Sequence, residues 1–273
     1  MRRLPFISSL KLVLALALCS AAQAQVDSIP QSELRSGTTP TLARDLAITS
    51  SPQLSPDLAL ATYQRGLELQ ANQLAGYTAI SRIDAELPDS AQKAEYELQQ
   101  HYSAPASLEF SAVHSSGDAF VKSNVIIRLL QSEVDHVRHH EQSETAINSA
   151  NYRFSYKGAS QLNGTPVHVY EVKPHAKRVG LFKGKIYVDA VAGHLLRAQG
   201  RIVRSPSFFI KKIDFVQDYA TLDGFTLPIH THSEAQTRII GRAVVDITNR
   251  DYHTESAAIE RSVETYALAD GTD

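Results

Sequence analysis

The sequence predicts an α+β fold, a curved antiparallel sheet whose concave face is covered by two or more helices. Three observations predict it. Residues 152–252 read as consecutive extended segments punctuated by Gly, Pro, Asn and Asp, with no long helix among them. Two amphipathic helical stretches lie earlier in the chain. One face of a large antiparallel sheet must be covered, and two helices are too few to cover a flat one, so the sheet has to bend around them.

The elements follow in order. Ser55-Pro56-Asp57 starts a helix, with Ser as cap, Pro at the first helical position and Asp in the first turn. Leu60, Tyr63, Leu67, Ala71 and Leu74 make its apolar stripe, and Gly76 is its expected stop. Strands follow over Tyr77 to Leu87, Ala94 to Tyr102 and Leu108 to His114, with turns at Pro88-Asp89-Ser90 and Ser115-Ser116-Gly117-Asp118. A second helix is predicted over Asn124 to His140, capped by Ser123, with Ile126, Leu130, Val134 and Val137 on one face.

Tyr152, Phe154 and Tyr156 then alternate with Arg153, Ser155 and Lys157, as in a half-buried strand. Asn163-Gly164 and Asp223-Gly224 are hairpin signals. Between and beyond them lie strands at Val167 to Lys173, Ile186 to Asp189, Leu195 to Arg204 and Phe208 to Tyr219. Two more carry Phe225, Leu227 and Ile229, and Ile239, Ala243, Val245 and Ile247, on one face each. Strands joined by short turns form a meander.

The first 24 residues read as an export signal. Their only charges are Arg2, Arg3 and Lys11, the stretch Leu10 to Leu18 is apolar but for Lys11, and Ala22-Gln23-Ala24 suits signal peptidase, with cleavage after Ala24. The apolar stretch is short for a membrane span. The expected organisation is a signal at 1–24, a flexible leader at 25–54 rich in Ser, Thr, Pro and Gln, one β-rich domain at 55–252 and a polar tail at 253–273. The expected location is the periplasm or the exterior. Cys19 and Met1 are the only Cys and Met, so the processed chain has no disulfide, thiol nucleophile or thiolate metal site. Of 27 basic residues three lie in the signal, leaving 24 against 29 acidic ones, a balance that gives no reason to expect nucleic acid as a partner.

The early helix with its Leu stripe, the helix after the third strand, Tyr152-Arg153-Phe154, the segment Val179-Gly180-Leu181-Phe182-Lys183-Gly184-Lys185-Ile186-Tyr187-Val188-Asp189 and Ser205-Pro206-Ser207-Phe208-Phe209-Ile210-Lys211-Lys212 resemble the bacterial outer-membrane lipoprotein-sorting superfamily, the LolA/LolB-like proteins, over residues 55–252. The resemblance implies an unclosed β-barrel with helices across its mouth and an apolar concave face that holds acyl chains. It implies a non-catalytic carrier of lipid or lipoprotein acyl chains, without metal or organic cofactor. Tyr77, Phe110, Tyr170, Phe209, Phe215 and Phe225 are the candidate pocket residues.

Two other readings stand beside the carrier. One is an envelope interaction or sensor module with a solid core, which docks on a membrane or an envelope protein partner. Its candidate surface is Leu181 and Phe182 with Lys183 and Lys185, near further cations at Lys173, His175, Lys177, Arg178, Lys211 and Lys212; Leu181 and Phe182 read equally as residues that fold back into the core. The other is a hydrolase using His230 or His232, which point the same way from one strand beside Glu234. His136 and His140 are one helical turn apart, but no third ligand accompanies them, so no metal site is assigned. There is no Gly-x-Ser-x-Gly elbow, phosphate-binding glycine loop or dinucleotide fingerprint.

Overall fold

A computed structural model describes residues 52–139 and 142–257. The expected signal and most of the leader, His140 and the last part of the tail lie outside the described residues.

The sheet has ten strands, all antiparallel to their neighbours, in the order β3-β2-β1-β10-β9-β8-β7-β6-β5-β4. They are β1 Leu74–Leu87, β2 Gln92–Ser103, β3 Ser107–Gly117, β4 Tyr152–Leu162, β5 Thr165–Pro174, β6 Phe182–Asp189, β7 Leu195–Ile202, β8 Ile210–Leu222, β9 Phe225–Thr237 and β10 Arg242–Ser256. β3 and β4 are the two edges and do not pair, so the curved sheet is an unclosed barrel. Helix α1 spans Pro56–Gln73. The crossover from β3 to β4 carries α2 Ala119–Val121, a π-turn Lys122–Ile126, α3 Ile127–Arg138 and α4 Gln142–Thr145.

The two hairpin signals are borne out: Asn163 and Gly164, like Asp223 and Gly224, have φ between 50° and 86°, as a tight two-residue turn demands. β10 lies between β1 and β9 in the middle of the sheet and runs to Ser256, past residue 252 where the sequence places the end of the domain.

Five local expectations are corrected. The second helix begins at Ala119, not Asn124. Its cap is Asp118, whose carboxylate accepts the N–H groups of Phe120 at 2.8 Å and Val121 at 3.0 Å, and Ser123 lies inside the helical run. Gly76 does not stop α1: the helix ends at Gln73, and Gly76 sits in β1, where a Cβ would come within 2.7 Å of the Tyr102 carbonyl. Phe208 and Phe209 precede β8 rather than belonging to it, and Ile239 lies in the turn before β10. Ile229 does not continue the face of Phe225 and Leu227, because a bulge in β9 leaves it without a partner between Pro228 and His230.

The concave face is packed. Val121, Val125, Ile126 and Leu129 of the crossover meet Ile83, Leu98, Ile213, Val245 and Ile247 of the sheet. A second cluster joins Ala59 and Tyr63 of α1 to Tyr152, Tyr170, Phe182, Ile186, Leu195, Phe215 and Tyr219. A third gathers Tyr77, Tyr102, Leu108, Val137, Phe225 and Leu227. Among the described residues no helix is long and apolar enough to cross a membrane.

Asp118 secures the start of the helices that fill the barrel, and these backbone bonds hold its carboxyl below the usual carboxylate range. Such a group stabilises the fold above the unfolded pKa of about 3.9 and loses that effect as pH falls through its folded value. Asp118→Ala is expected to cost about 1 kcal/mol at neutral pH. In chemical denaturation across pH, the gap from the parent should close below the carboxylate range.

Candidate ligand-binding site

The described cavities lie in two places. The first is inside the barrel, between α3 and strands β1, β2, β3, β8, β9 and β10, and holds about 60 Å³. Its wall carries a polar chain: Gln100 Nε2 donates to Tyr77 Oη at 2.8 Å, and Ser81 Oγ lies 3.1 Å from Gln100 Oε1 and 2.7 Å from Asn249 Oδ1. Asn249 Nδ2 in turn donates to the Pro228 carbonyl at 3.1 Å. Glu133 and His136 of α3 are buried beside it. Burial pushes the Tyr102 hydroxyl up to about 12, so it stays a neutral donor. This space takes a few water-sized groups and is too small for an acyl chain.

The second cavity is a cleft of about 260 Å³ under α1, at the end of the barrel where the β6–β7 and β8–β9 turns lie. That is just below the range of roughly 300–1,000 Å³ usual for small-molecule sites. Its floor on the sheet side is apolar: Leu195, Tyr219 and Phe225 are all buried, and Tyr63 is buried on the roof side. Its rim is polar, with Arg65 and Gln73 from α1 and His194 from the β6–β7 turn.

α1 is a fixed roof over this cleft. At its start, Leu54 N–H donates to the Ala190 carbonyl at 2.7 Å, His168 Nε2 donates to the Leu54 carbonyl at 2.9 Å, and Tyr170 Oη donates to the Pro56 carbonyl. In the middle, Tyr63 Oη donates to the Ile147 carbonyl at 2.9 Å. Near its end, the buried Gln70 amide clamps Thr226 by both atoms: Nε2 donates to its carbonyl at 3.1 Å and Oε1 accepts its N–H at 2.8 Å. Gly193, at φ 72°, brings the β6–β7 turn so close that a Cβ there would meet the Thr62 side chain at 2.7 Å. Burial raises the hydroxyls of Tyr63 and Tyr219, which therefore remain uncharged.

Gly66 stands in the middle of this roof. It is exposed and lines the cleft, and a Cβ built on it would meet nothing within 4 Å. Packing therefore does not require a glycine there, although glycine costs a helix interior about 1 kcal/mol against alanine.

The residues expected to line one pocket are dispersed. Tyr77 and Phe110 border the small interior cavity and Phe225 the cleft. Tyr170 and Phe215 are core residues, the latter edge-on to Phe182 with ring centroids 5.0 Å apart. Phe209 lies in the β7–β8 loop against Phe208. Leu181 and Phe182 are both 0% exposed, so an exposed apolar tip there is corrected: the two side chains fold back into the core, and only Lys183 and Lys185 face solvent. Gly66, Gln70, Leu195 and Tyr219 escaped sequence reasoning. The one available signal was a glycine interrupting an otherwise good helix.

His230 and His232 face the convex side, half-exposed, in a charged network. His232 Nδ1 lies 2.8 Å and His230 Nε2 3.6 Å from Asp246 Oδ1, and Arg197 pairs with Asp218 beside them. They border neither cavity. Among the described residues no three His, Cys, Asp or Glu side chains are arranged to hold a metal ion.

No family model matches this chain, and no curated protein matches its sequence. Solved structures do resemble it. A DUF1329 family protein from Desulfovibrio piger matches at 10% identity, with 71% of this chain and 92% of that chain covered and a TM-score of 0.37. A LolA superfamily protein from Nitrosomonas europaea matches at 9% identity, 75% and 96% coverage and a TM-score of 0.36. The Mycobacterium tuberculosis lipoprotein LppX matches at 10% identity, 72% and 96% coverage and a TM-score of 0.25. The superfamily that the sequence resembles is thus represented among these neighbours. The fold itself rests on the strand order and helix placement described above.

The Gln70 clamp holds α1 over the cleft. Gln70→Leu strands the N–H and carbonyl of Thr226 and is expected to cost about 1–3 kcal/mol. Urea unfolding should show a lower midpoint with an unchanged slope.

Proposed function

We propose that this chain is an exported, non-catalytic binding protein that holds the apolar end of an amphipathic, lipid-like molecule in the cleft under α1. The observation that carries the reading is Gly66: a glycine kept in a helix interior, over an apolar floor, where a side chain would project into open space. Arg65 on the rim supplies a permanent cation, which suits a carboxylate or phosphate head.

Energetics favour this cleft over the barrel interior. Admitting a chain to the interior means lifting Val125, Ile126 and Leu129 off the sheet, at about 1.5–3 kcal/mol for each side chain. The cleft needs no such exposure. About six methylenes buried in it would supply about 5 kcal/mol, which corresponds to binding between millimolar and micromolar. Affinity of that order suits a protein that collects and releases its ligand. Residues 1–24 support an exported location by their signal pattern, and an acyl chain in outer-membrane lipoprotein sorting is one ligand of the right chemistry.

The small volume of the interior favours a second reading, the envelope interaction module with a solid core. The two readings separate on one variant. Gly66→Leu is expected to raise helix stability by about 0.5–1 kcal/mol and to fill the cleft, so thermal stability rises while uptake of a fluorescent fatty acid falls at least tenfold. Full uptake by the variant, or none by the parent chain, would refute the cleft assignment.

A further inference from the structure

The opposite end of the barrel carries the most exposed large apolar side chain among the described residues. Phe208, in loop 203–209 between β7 and β8, is 77% exposed. Ile239, in turn 238–241 between β9 and β10, is 42% exposed. The two segments are joined. Arg238 N–H donates to the Phe209 carbonyl and Arg238 Nε to the Phe208 carbonyl, both at 2.8 Å, and the guanidinium lies 4.7 Å from the centre of the Phe208 ring. Phe208 is thus held out from the protein by a defined support.

Its surroundings are cationic. Residues 203–212 include Arg204, Lys211 and Lys212, residues 237–242 include Arg238 and Arg242, and neither stretch contains a carboxylate; the carboxylate of Asp89 is seated on the turn and accepts the Arg242 N–H at 2.9 Å. Lys212 pairs with Asp214 and Arg242 with Glu234. Arg204, Lys211 and Arg238 are exposed and have no carboxylate partner among the described residues. On the adjoining convex face the register sets Arg153 opposite Lys173, with Lys183 opposite Arg201 on the next two strands, although Lys173 also pairs with Glu171 and Arg201 with Asp214. Like charges facing one another across strands oppose folding. This concentration of cations stands in a chain whose formal charge is −2.

We infer that this end of the barrel docks on an anionic lipid bilayer, with Phe208 as its apolar anchor and Arg204, Lys211 and Arg238 against the headgroups. An aromatic ring ringed by cations matches the two layers of such a surface, apolar below and negative above. A protein partner would need apolar area beyond two side chains, whereas a bilayer accepts one wedge and adds attraction for each cation. β8, with 13 residues, separates this tip from the α1 cleft, about 40 Å at 3.3 Å per residue. No cleft residue enters the inference, so it stands apart from the binding proposal.

The test is co-flotation of the exported chain with vesicles of phosphatidylglycerol or of phosphatidylcholine. The parent chain is expected to float with phosphatidylglycerol, to be released by salt, and to stay behind with phosphatidylcholine. Phe208→Ala should lower the partition coefficient about tenfold, the equivalent of giving up about 1.5 kcal/mol of apolar burial. Arg238→Gln should lower it about fivefold. Both positions are exposed, and unchanged thermal unfolding of each variant checks that it is folded. Leu58→Ala, at an exposed position at the start of α1, should bind as the parent does. Absence of flotation, equal flotation with both lipids, or undiminished binding by Phe208→Ala overturns the inference. Any of these would leave the tip to a protein partner or to a chance exposure.

Discussion

The structure depends on covering the inner face of a ten-stranded sheet whose edges never meet. β3 and β4 stay unpaired, so nothing closes the barrel by hydrogen bonds. The cover is the chain that must travel from one edge to the other. That crossover carries the helical run from Ala119 to Arg138, and its apolar side chains fill the space between the strands. The connection between the edges and the packing of the core are one feature of the chain.

The remaining inner surface, around β5 to β9, falls to α1. This helix serves a different purpose because it is fastened at several points: Leu54, Pro56, Tyr63 and Gln70 each bond to the sheet or the crossover. Between the fastenings Ala59 packs into the core while Gly66 carries no side chain, and the cleft is the gap that results. The roof stays in place by these hydrogen bonds, and the cleft beneath it is left open along the side. The crossover helices, by contrast, are held by buried apolar area, and moving them would expose it.

Much of the architecture was legible in the sequence, for local reasons. Asn163-Gly164 and Asp223-Gly224 specify their turns by backbone conformation alone, and alternation marks Tyr152 to Lys157 as a strand with one covered face. The errors came where a residue admits two local roles. Asp118 reads equally as a turn residue and as a helix cap, and only the N–H groups of Phe120 and Val121 decide. Leu181 and Phe182 between glycines read equally as a docking tip or as core, and the structure buries both, the Tyr152 hydroxyl accepting the Phe182 N–H. Phe208 and Phe209 look like the start of a strand. The bonds from Arg238, 30 residues away, instead hold them in a loop at the surface. The six aromatic residues expected in one pocket share only a residue type, and type does not encode which strand faces which helix.

By itself, the sequence determined the elements and their class: the strand periodicities, the hairpin turns and two helical regions. These follow from short-range preferences of the backbone and of side chains along it. Only the tertiary structure decided that β10 lies at the centre of the sheet beside β1, that the barrel interior is filled while a cleft remains beneath α1, and that Phe208 rather than Phe182 reaches solvent. Each of these depends on contacts between residues far apart in the chain. Such contacts are set by how volumes fill a shared interior, which no local pattern of residues records.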